Sequence, residues 1–286
     1  MNYIIFDVAN VVWRSAHSQY RKTEQHLGVY GFLYEILETI DTVGTNKDDV
    51  IIFAFDHNDR THRRKYLPDY KEKTRYQDDA IRGQVNRTID DLRIKFLPKA
   101  GFTNIFHVPG YEADDIIAVI VKREVKPEDT CFIISNDSDL HQLLSRNCTI
   151  FSRSKGPVTM EWFTRKYKLD PSMVPRIKAL AGDPSDNIKG IPRVGLVTAI
   201  AYLRGLTKSV CRHVTRFIET EEGERYYKNA TKVCTLPCVD PETSFVPVIN
   251  KRERILLKDW NNLCDELGFK RLKRTEHQII RGSGKE

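Results

Sequence analysis

The chain has 286 residues, 40% hydrophobic, 10% aromatic and 30% charged, with 46 Lys and Arg against 39 Asp and Glu for a formal net charge of +7. This balance excludes a disordered chain and is enough for a sizeable core, in one large α/β domain or two that share an interface. No apolar run approaches the roughly 18 residues that span a bilayer, and the first apolar stretch, Tyr3 to Trp13, carries Asp7 and no basic leader. The expectation is an unprocessed cytoplasmic monomer without membrane contact. Six scattered cysteines read as reduced thiols, and no second Cys or His pair completes a zinc set with Cys234 and Cys238. The positive balance favours a polyanionic partner, because phosphates neutralised by Lys and Arg release condensed counterions.

In chain order, short apolar runs at Tyr3 to Phe6, Val50 to Phe55, Ile105 to Val108, Cys131 to Ile134 and Cys148 to Phe151 read as strands. Helical spacing falls between them at Phe32 to Val43, Ala80 to Phe96, Ala113 to Val121 and Leu140 to Leu144. Strands alternating with helices predict a parallel sheet with crossover helices over about the first 170 residues. Beyond Pro171 the strand signals stop, and helical segments with Gly-Pro punctuation run to about residue 235. Pro237, Pro241 and Pro247 mark a connector before an amphipathic stretch, Ile255 to Leu267, and a Lys- and Arg-rich tail.

Ligands of an open parallel sheet bind beyond the carboxyl ends of its strands, and there the sequence places acids. Asp7 follows the first run, Asp56 the second, Glu112 comes soon after the third, and Asp137 and Asp139 follow the fourth. In EADDIIAVIV, Glu112 and Asp115 share a helix face, with Asp114 beside them in the first turn. A single acid at a helix start reads as a cap or a dipole partner. A converging set raises its members' pKa values unless a strong counter-charge lies between them. Oxygen ligands without His or Cys select a hard cation, Mg²⁺ with Mn²⁺ as a substitute, and two such ions suit phosphodiester hydrolysis.

Asp183 and Asp186 belong to GDPSDNIKGIPRVG, which ends in a Gly-x-Pro-x-x-Gly hairpin between helices. Gly190, Gly195, Lys189 and Arg193 are expected to present backbone N–H groups and charge to a phosphate, the alternative being an ordinary helix connection. In the basic stretch from Arg60 to Arg75, Arg63, Tyr66 and Tyr70 are expected to contact nucleic acid, the alternative being a solvated surface.

The motifs FDVAN from Phe6, RKYLPDYK from Arg64, GYEADD from Gly110, SNDSD from Ser135 and GDPSDNIKGIPRVG from Gly182 resemble the flap endonuclease and 5′-nuclease family. That family includes bacteriophage 5′-exonucleases, also called phage ribonuclease H, and the 5′-nuclease domain of bacterial DNA polymerase I. The resemblance implies an α/β fold: a PIN-like parallel-sheet nuclease domain over 1–170 with a helical arch at about 59–99, then a helix-three-turn-helix DNA-binding module over 171–235. Residues 236–286 are expected to pack back on the core and end in the basic tail. By the same resemblance, Asp114, Asp115, Asp137, Asp139, Asp183 and Asp186 hold two Mg²⁺ ions, while Asp7, Asp56 and Glu112 act through water or by supporting the ligands. Lys71 matches the family lysine on the scissile phosphate. The arginine role falls on Arg75, because the family's Tyr-Lys-x-x-Arg spacing is stretched here. Trp13 and Arg14 match positions that meet DNA near the cut, Trp13 reading equally as core. Val8 and Ser138 replace family glycines without removing an acid.

The implied activity is cleavage of DNA with 5′ flaps or ends, extending to RNA primers paired to DNA, with K⁺ in the hairpin and a replication polymerase or single-strand-binding protein as partners. A viral source would place the protein in the host cytoplasm. Two alternatives stay open: a PIN-type ribonuclease for single-stranded RNA, and a catalytically inactive DNA-binding clamp.

Overall fold

A computed structural model describes residues 1–17, 28–43, 49–57, 61–72, 79–152, 156–206, 208–239, 245–251 and 256–275. The strands are β1 (Asn2–Asp7), β2 (Val50–Phe55), β3 (Ile105–His107), β4 (Thr130–Ile134), β5 (Cys148–Ser152) and β6 (Gly156–Val158), in the sheet order β3-β2-β1-β4-β5-β6. The first five pair in parallel and β6 returns antiparallel to β5. The three-residue β6 was not anticipated, because Gly156-Pro157-Val158 has no alternation to read.

The helices are α1 (Val8–Ala16), α2 (Val29–Val43), α3 (Thr61–Arg64), α4 (Asp79–Asp91), α5 (Leu97–Lys99), α6 (Ala113–Glu124), α7 (Met160–Tyr167), α8 (Val174–Ala181), α9 (Leu196–Leu203), α10 (Lys208–Ile218), α11 (Glu221–Cys234) and α12 (Leu257–Glu266). A π-helical turn at Leu92–Phe96 joins α4 to α5, and the segment read as helical from Leu140 is a 3₁₀ turn, Asp139–Leu143. The apolar stretch after Asp7 turns helical at once, because the Asp7 carboxylate caps α1 by accepting from the Asn10 N–H at 3.2 Å.

Both sheet faces are covered, which explains why the strands read as continuous apolar runs. Ile4, Phe6, Phe53 and Phe55 face α1, α2 and Trp260 of α12 in one core. Tyr3, Ile5, Ile52 and Ile133 face Ile116, Ile117 and Ile120 of α6 in the other. The rings of Phe6 and Phe53 stack across neighbouring strands at 5.3 Å, and each residue is 0% exposed, worth about 1.5–3 kcal/mol per side chain. Val174, Ile177 and Leu180 of α8 and Ala199 of α9 belong to the same core as α6, so these helices are built against the sheet. All six cysteines are buried and free.

The chain leaves β1 onto the face of α1 and α2, whereas it leaves β4 onto the opposite face, where Leu140 and Leu143 pack. Neighbouring strands whose connections diverge in this way open a crevice at their carboxyl ends. Asp7 and Asp137 stand at its two sides.

Candidate active site

Asp7 closes β1, is 7% exposed, and accepts a hydrogen bond from the Ser135 hydroxyl at 2.8 Å. Burial, followed by the charges of Asp56 and Asp137, raises its carboxyl from 3.8 to about 7. Asp56 is exposed beyond β2 and accepts the Ala113 N–H at 2.9 Å, tying the start of α6 to the second strand end.

At the start of α6, Glu112 is 2% exposed and Asp115 is 0% exposed. Asp115 accepts the Glu112 N–H at 3.1 Å and the Cys238 N–H at 2.7 Å. Its main partner is Arg63 of α3, whose two terminal nitrogens donate to both carboxylate oxygens at 2.6 and 2.9 Å. The same guanidinium reaches Asp114 at 3.5 Å and Glu112 at 3.6 Å and is 3% exposed. Arg63 was expected to contact nucleic acid; the structure places it buried among the carboxylates of α6. Burial pulls against its charge, but Asp114, Asp115 and Glu112 more than offset it, so the guanidinium proton is held beyond its usual range. Burial and then Asp115 push the Asp114 carboxyl well up.

The chain then crosses the site. Tyr70 is 2% exposed and its hydroxyl lies 3.0 Å from Glu112 and 3.3 Å from Asp186, so its ring is closed to a nucleobase. Lys71 has a positive φ of 47°, donates its backbone N–H to the Asp186 carbonyl at 3.0 Å, and sends its ammonium to Glu112 at 2.9 Å and Asp186 at 3.6 Å. Burial opposes that charge and is outweighed by Glu112, then Asp186, which hold the Lys71 proton above its ordinary range. Tyr66 is half-buried, with the Lys232 ammonium on its hydroxyl at 2.5 Å and over its ring at 4.0 Å. Arg75 lies outside the described residues.

Asp139, Asp183 and Asp186 bring one carboxylate oxygen each within 4.8 Å of one another. Asp137 stands beside them, accepting the Asp139 N–H at 2.8 Å. Burial raises the Asp137 carboxyl, with Lys178 and then Lys71 opposing, and burial likewise raises Asp186. For Asp183 burial also pushes upward, but hydrogen bonds from Lys178 and Ser185 outweigh it and the carboxyl ends below its ordinary value. Lys178 of α8, which reading the sequence missed, places its ammonium 2.5 Å from Asp183 and in contact with Asp139. Its only sequence signal is a lysine one helical turn before Gly182-Asp183. A cluster made only of carboxylate oxygens, with a positive charge drawn into it, fits a hard divalent cation.

The hairpin after α8 is held from behind. Asp183 and Ile188 exchange backbone hydrogen bonds at 2.7 and 2.8 Å. Gly190 has a φ of 68°, and a Cβ there would lie 2.4 Å from the Gly182 nitrogen. The Gly190 N–H, expected to face a phosphate, donates to the Tyr226 hydroxyl at 2.8 Å. Gly195 caps the start of α9, Arg193 is exposed, and Lys189 is exposed and paired with Asp69 at 3.0 Å. On the far side of the sheet ends, Trp13 is half-buried against the core and stacks on His17 at 5.7 Å. Arg14 is paired with Glu35 at 2.7 Å. Trp13, Arg14, Lys189 and Arg193 therefore lie outside the acidic cluster, while Lys71 joins it.

Residues 2–168 match the family model described as 5′-3′ exonuclease, N-terminal resolvase-like domain. The chain is 28% identical over 230 residues to a 5′-3′ exonuclease of Buchnera aphidicola, covering 79% of this chain and 73% of the relative. It is 29% identical over 258 residues to DNA polymerase I of Mycobacterium bovis, covering 86% of this chain but only 27% of the polymerase. Among solved structures, the flap endonuclease D15 of bacteriophage T5, in a pseudo-enzyme-product complex with DNA and metal ions, superposes with a TM-score of 0.63. That match covers 82% of this chain and 89% of the phage protein at 20% identity, a likeness of fold. Among the described residues, no helix is long and apolar enough to cross a membrane.

Proposed function

Since the chain belongs to the 5′-3′ exonuclease family, whose model covers residues 2–168, we propose that it is a Mg²⁺-dependent, structure-specific 5′-nuclease. In this reading it hydrolyses phosphodiesters near junctions of single- and double-stranded DNA, with RNA paired to DNA as a second substrate. The observation that carries the reading is the Asp139, Asp183 and Asp186 cluster, with oxygens within 4.8 Å, in the crevice between β1 and β4. A protein that only gripped DNA would gain nothing from acids that repel phosphate there.

Asp137, Asp139, Asp183 and Asp186 would hold divalent ions, which supply charge neutralisation of the phosphate and activation of water. Asp114 would contribute from the start of α6. Asp115, saturated by Arg63 and two backbone N–H groups, acts in this reading by fixing the position of its neighbours. Asp7 orients Ser135 and the β4 end, and Asp56 holds the start of α6. Glu112 aims the Lys71 ammonium across the crevice, where it can stabilise negative charge developing on a phosphoryl oxygen. Lys178, set against the carboxylates of Asp139 and Asp183, would offset their mutual repulsion. The hairpin after α8, with a K⁺ ion, would take duplex backbone, and a polymerase or single-strand-binding protein would be the replication partner.

The test compares a 5′-labelled flap, a nicked duplex and an RNA–DNA hybrid in Mg²⁺ and in EDTA, with wild type and Asp183→Asn. Metal-dependent products that vanish in the variant are expected, and their sizes rank the substrates. Tight binding without cleavage on all three substrates overturns the reading and leaves a DNA clamp.

A further inference from the structure

Next to the acids, α7 carries an aromatic surface to which the proposed chemistry assigns no part. Trp162 is 38% exposed, whereas its neighbour Phe163 is 1% exposed and anchors the helix in the core. The Trp162 ring meets His141 at 6.3 Å and Tyr167 at 6.1 Å, both near edge-on. The Lys166 ammonium lies 4.5 Å from the Trp162 ring centre and 5.1 Å from that of Tyr167. Arg165 and Lys168 are exposed on the same short helix and its cap. His141 belongs to the 3₁₀ turn that begins with Asp139, and it lies close enough to Asp137 for its charge to act on that carboxylate.

We propose that this face of α7 is a binding platform for unpaired nucleotides of the substrate, with a base stacked on Trp162 and the adjoining phosphates on Lys166 and Arg165. The inference takes from the nuclease reading only that the substrate is a nucleic acid. An aromatic face with cations at its rim suits a single strand of any sequence, because every base has a π face and every linkage a charge. Along its length a duplex keeps its base faces stacked inside and has none to offer an exposed ring. Lys166 already covers the ring in the free protein, so binding needs only a swing of its stem from ring to phosphate. Charge favours the same occupant: Arg165, Lys166 and Lys168 outnumber Glu161 and Asp170, and the exposed Arg146 lies close enough to Glu161 to draw its pKa down further, behind the helix-start hydrogen bonds.

The test measures Kd by fluorescence anisotropy in Ca²⁺ for a duplex with a short oligothymidine arm, 5′ or 3′, and for the same duplex fully paired. Trp162→Ala is expected to weaken binding of at least one armed duplex about tenfold, the loss of a single base–aromatic stack, and to leave the paired duplex unchanged. Trp162→Phe keeps a ring and should stay within about twofold of wild type. Lys166→Glu should weaken the armed duplex and flatten its salt dependence. Equal Kd values for wild type and Trp162→Ala on both armed duplexes, or equal losses on armed and paired duplexes, overturn the platform. Cleavage of the same DNAs in Mg²⁺ separates the two readings. Wild-type cleavage with no Trp162 effect removes the platform alone, whereas an armed-duplex loss without any cleavage keeps the platform and removes the nuclease.

Discussion

Replacing Arg63 by methionine removes a guanidinium that is 3% exposed and keeps the stem's packing. The change takes away both hydrogen bonds to Asp115, at 2.6 and 2.9 Å, and the approaches to Asp114 and Glu112 at 3.5 and 3.6 Å. Asp115 is then a fully buried carboxylate with only the N–H groups of Glu112 and Cys238 to support its charge. Breaking a buried ion pair on one side costs about 3–5 kcal/mol. A chain of this size loses about 2–4 °C of Tm per kcal/mol, so the drop should be roughly 10 °C. Asp115 is already pushed up by burial, with Arg63 as the chief opposing influence. Without Arg63 it binds a proton more readily in the folded state than in the unfolded one, so the deficit should shrink as pH falls below neutrality. Arg63→Met combined with Asp115→Asn removes both charges and should recover most of the loss. Urea and thermal unfolding in EDTA across the pH range measure all three quantities. A deficit under about 1 kcal/mol, the scale of an exposed pair, or a double variant no more stable than Arg63→Met, refutes the reasoning.

Lys178→Met should lower the Tm of the metal-free protein by leaving Asp139 and Asp183 without their ammonium. It should also tighten Mn²⁺ binding, read by electron paramagnetic resonance, because the ion no longer displaces a tethered cation; unchanged affinity would put the lysine outside the ion's place. The Asp7 carboxyl, near 7 in the folded state, binds a proton that an unfolded chain releases near pH 4, to within about a unit. Stability from that proton is present below about pH 4 and lost as pH rises through about 7, so metal-free Tm should fall across this window and Asp7→Asn should flatten the slope. Gly190→Ala should cost about 1–3 kcal/mol for its backbone conformation, plus the overlap with Gly182; urea unfolding reads it, and a neutral result would mean the hairpin can open behind α8.

The strand ends and their acids were legible because each depends on local pattern: an apolar run followed by a carboxylate. Arg63 shows where local pattern stops. Among the basic residues from Arg60 it looks like one more surface cation, and its partners Asp114 and Asp115 lie 51 and 52 residues downstream. Tyr70 has the same history, since a tyrosine among lysines reads as a stacking residue until Glu112 and Asp186 close around its hydroxyl. Lys178 was hidden inside an ordinary helix pattern, with nothing local to mark it as the cation shared by two acids. Helix α1 was masked because its apolar residues continue those of β1 without a break in composition, the change of period being signalled only by the Asp7 cap.

On the proposed function, the hairpin that follows α8 would tie two tasks to one piece of backbone. Asp183 and Asp186 belong to the same short loop as Lys189 and Gly190, and that loop is stitched by the Asp183–Ile188 bridge and wedged against Gly182. A loop so constrained shifts as a unit, so if it takes duplex backbone as proposed it would not adjust that grip without moving two acids of the proposed ion site. Thermodynamic reciprocity then holds in both directions: whatever factor bound duplex adds to divalent-ion affinity, the ion adds to duplex affinity. Selectivity for a correctly seated junction would thus arise before any bond is broken, as ions gathered only when the right shape is in place.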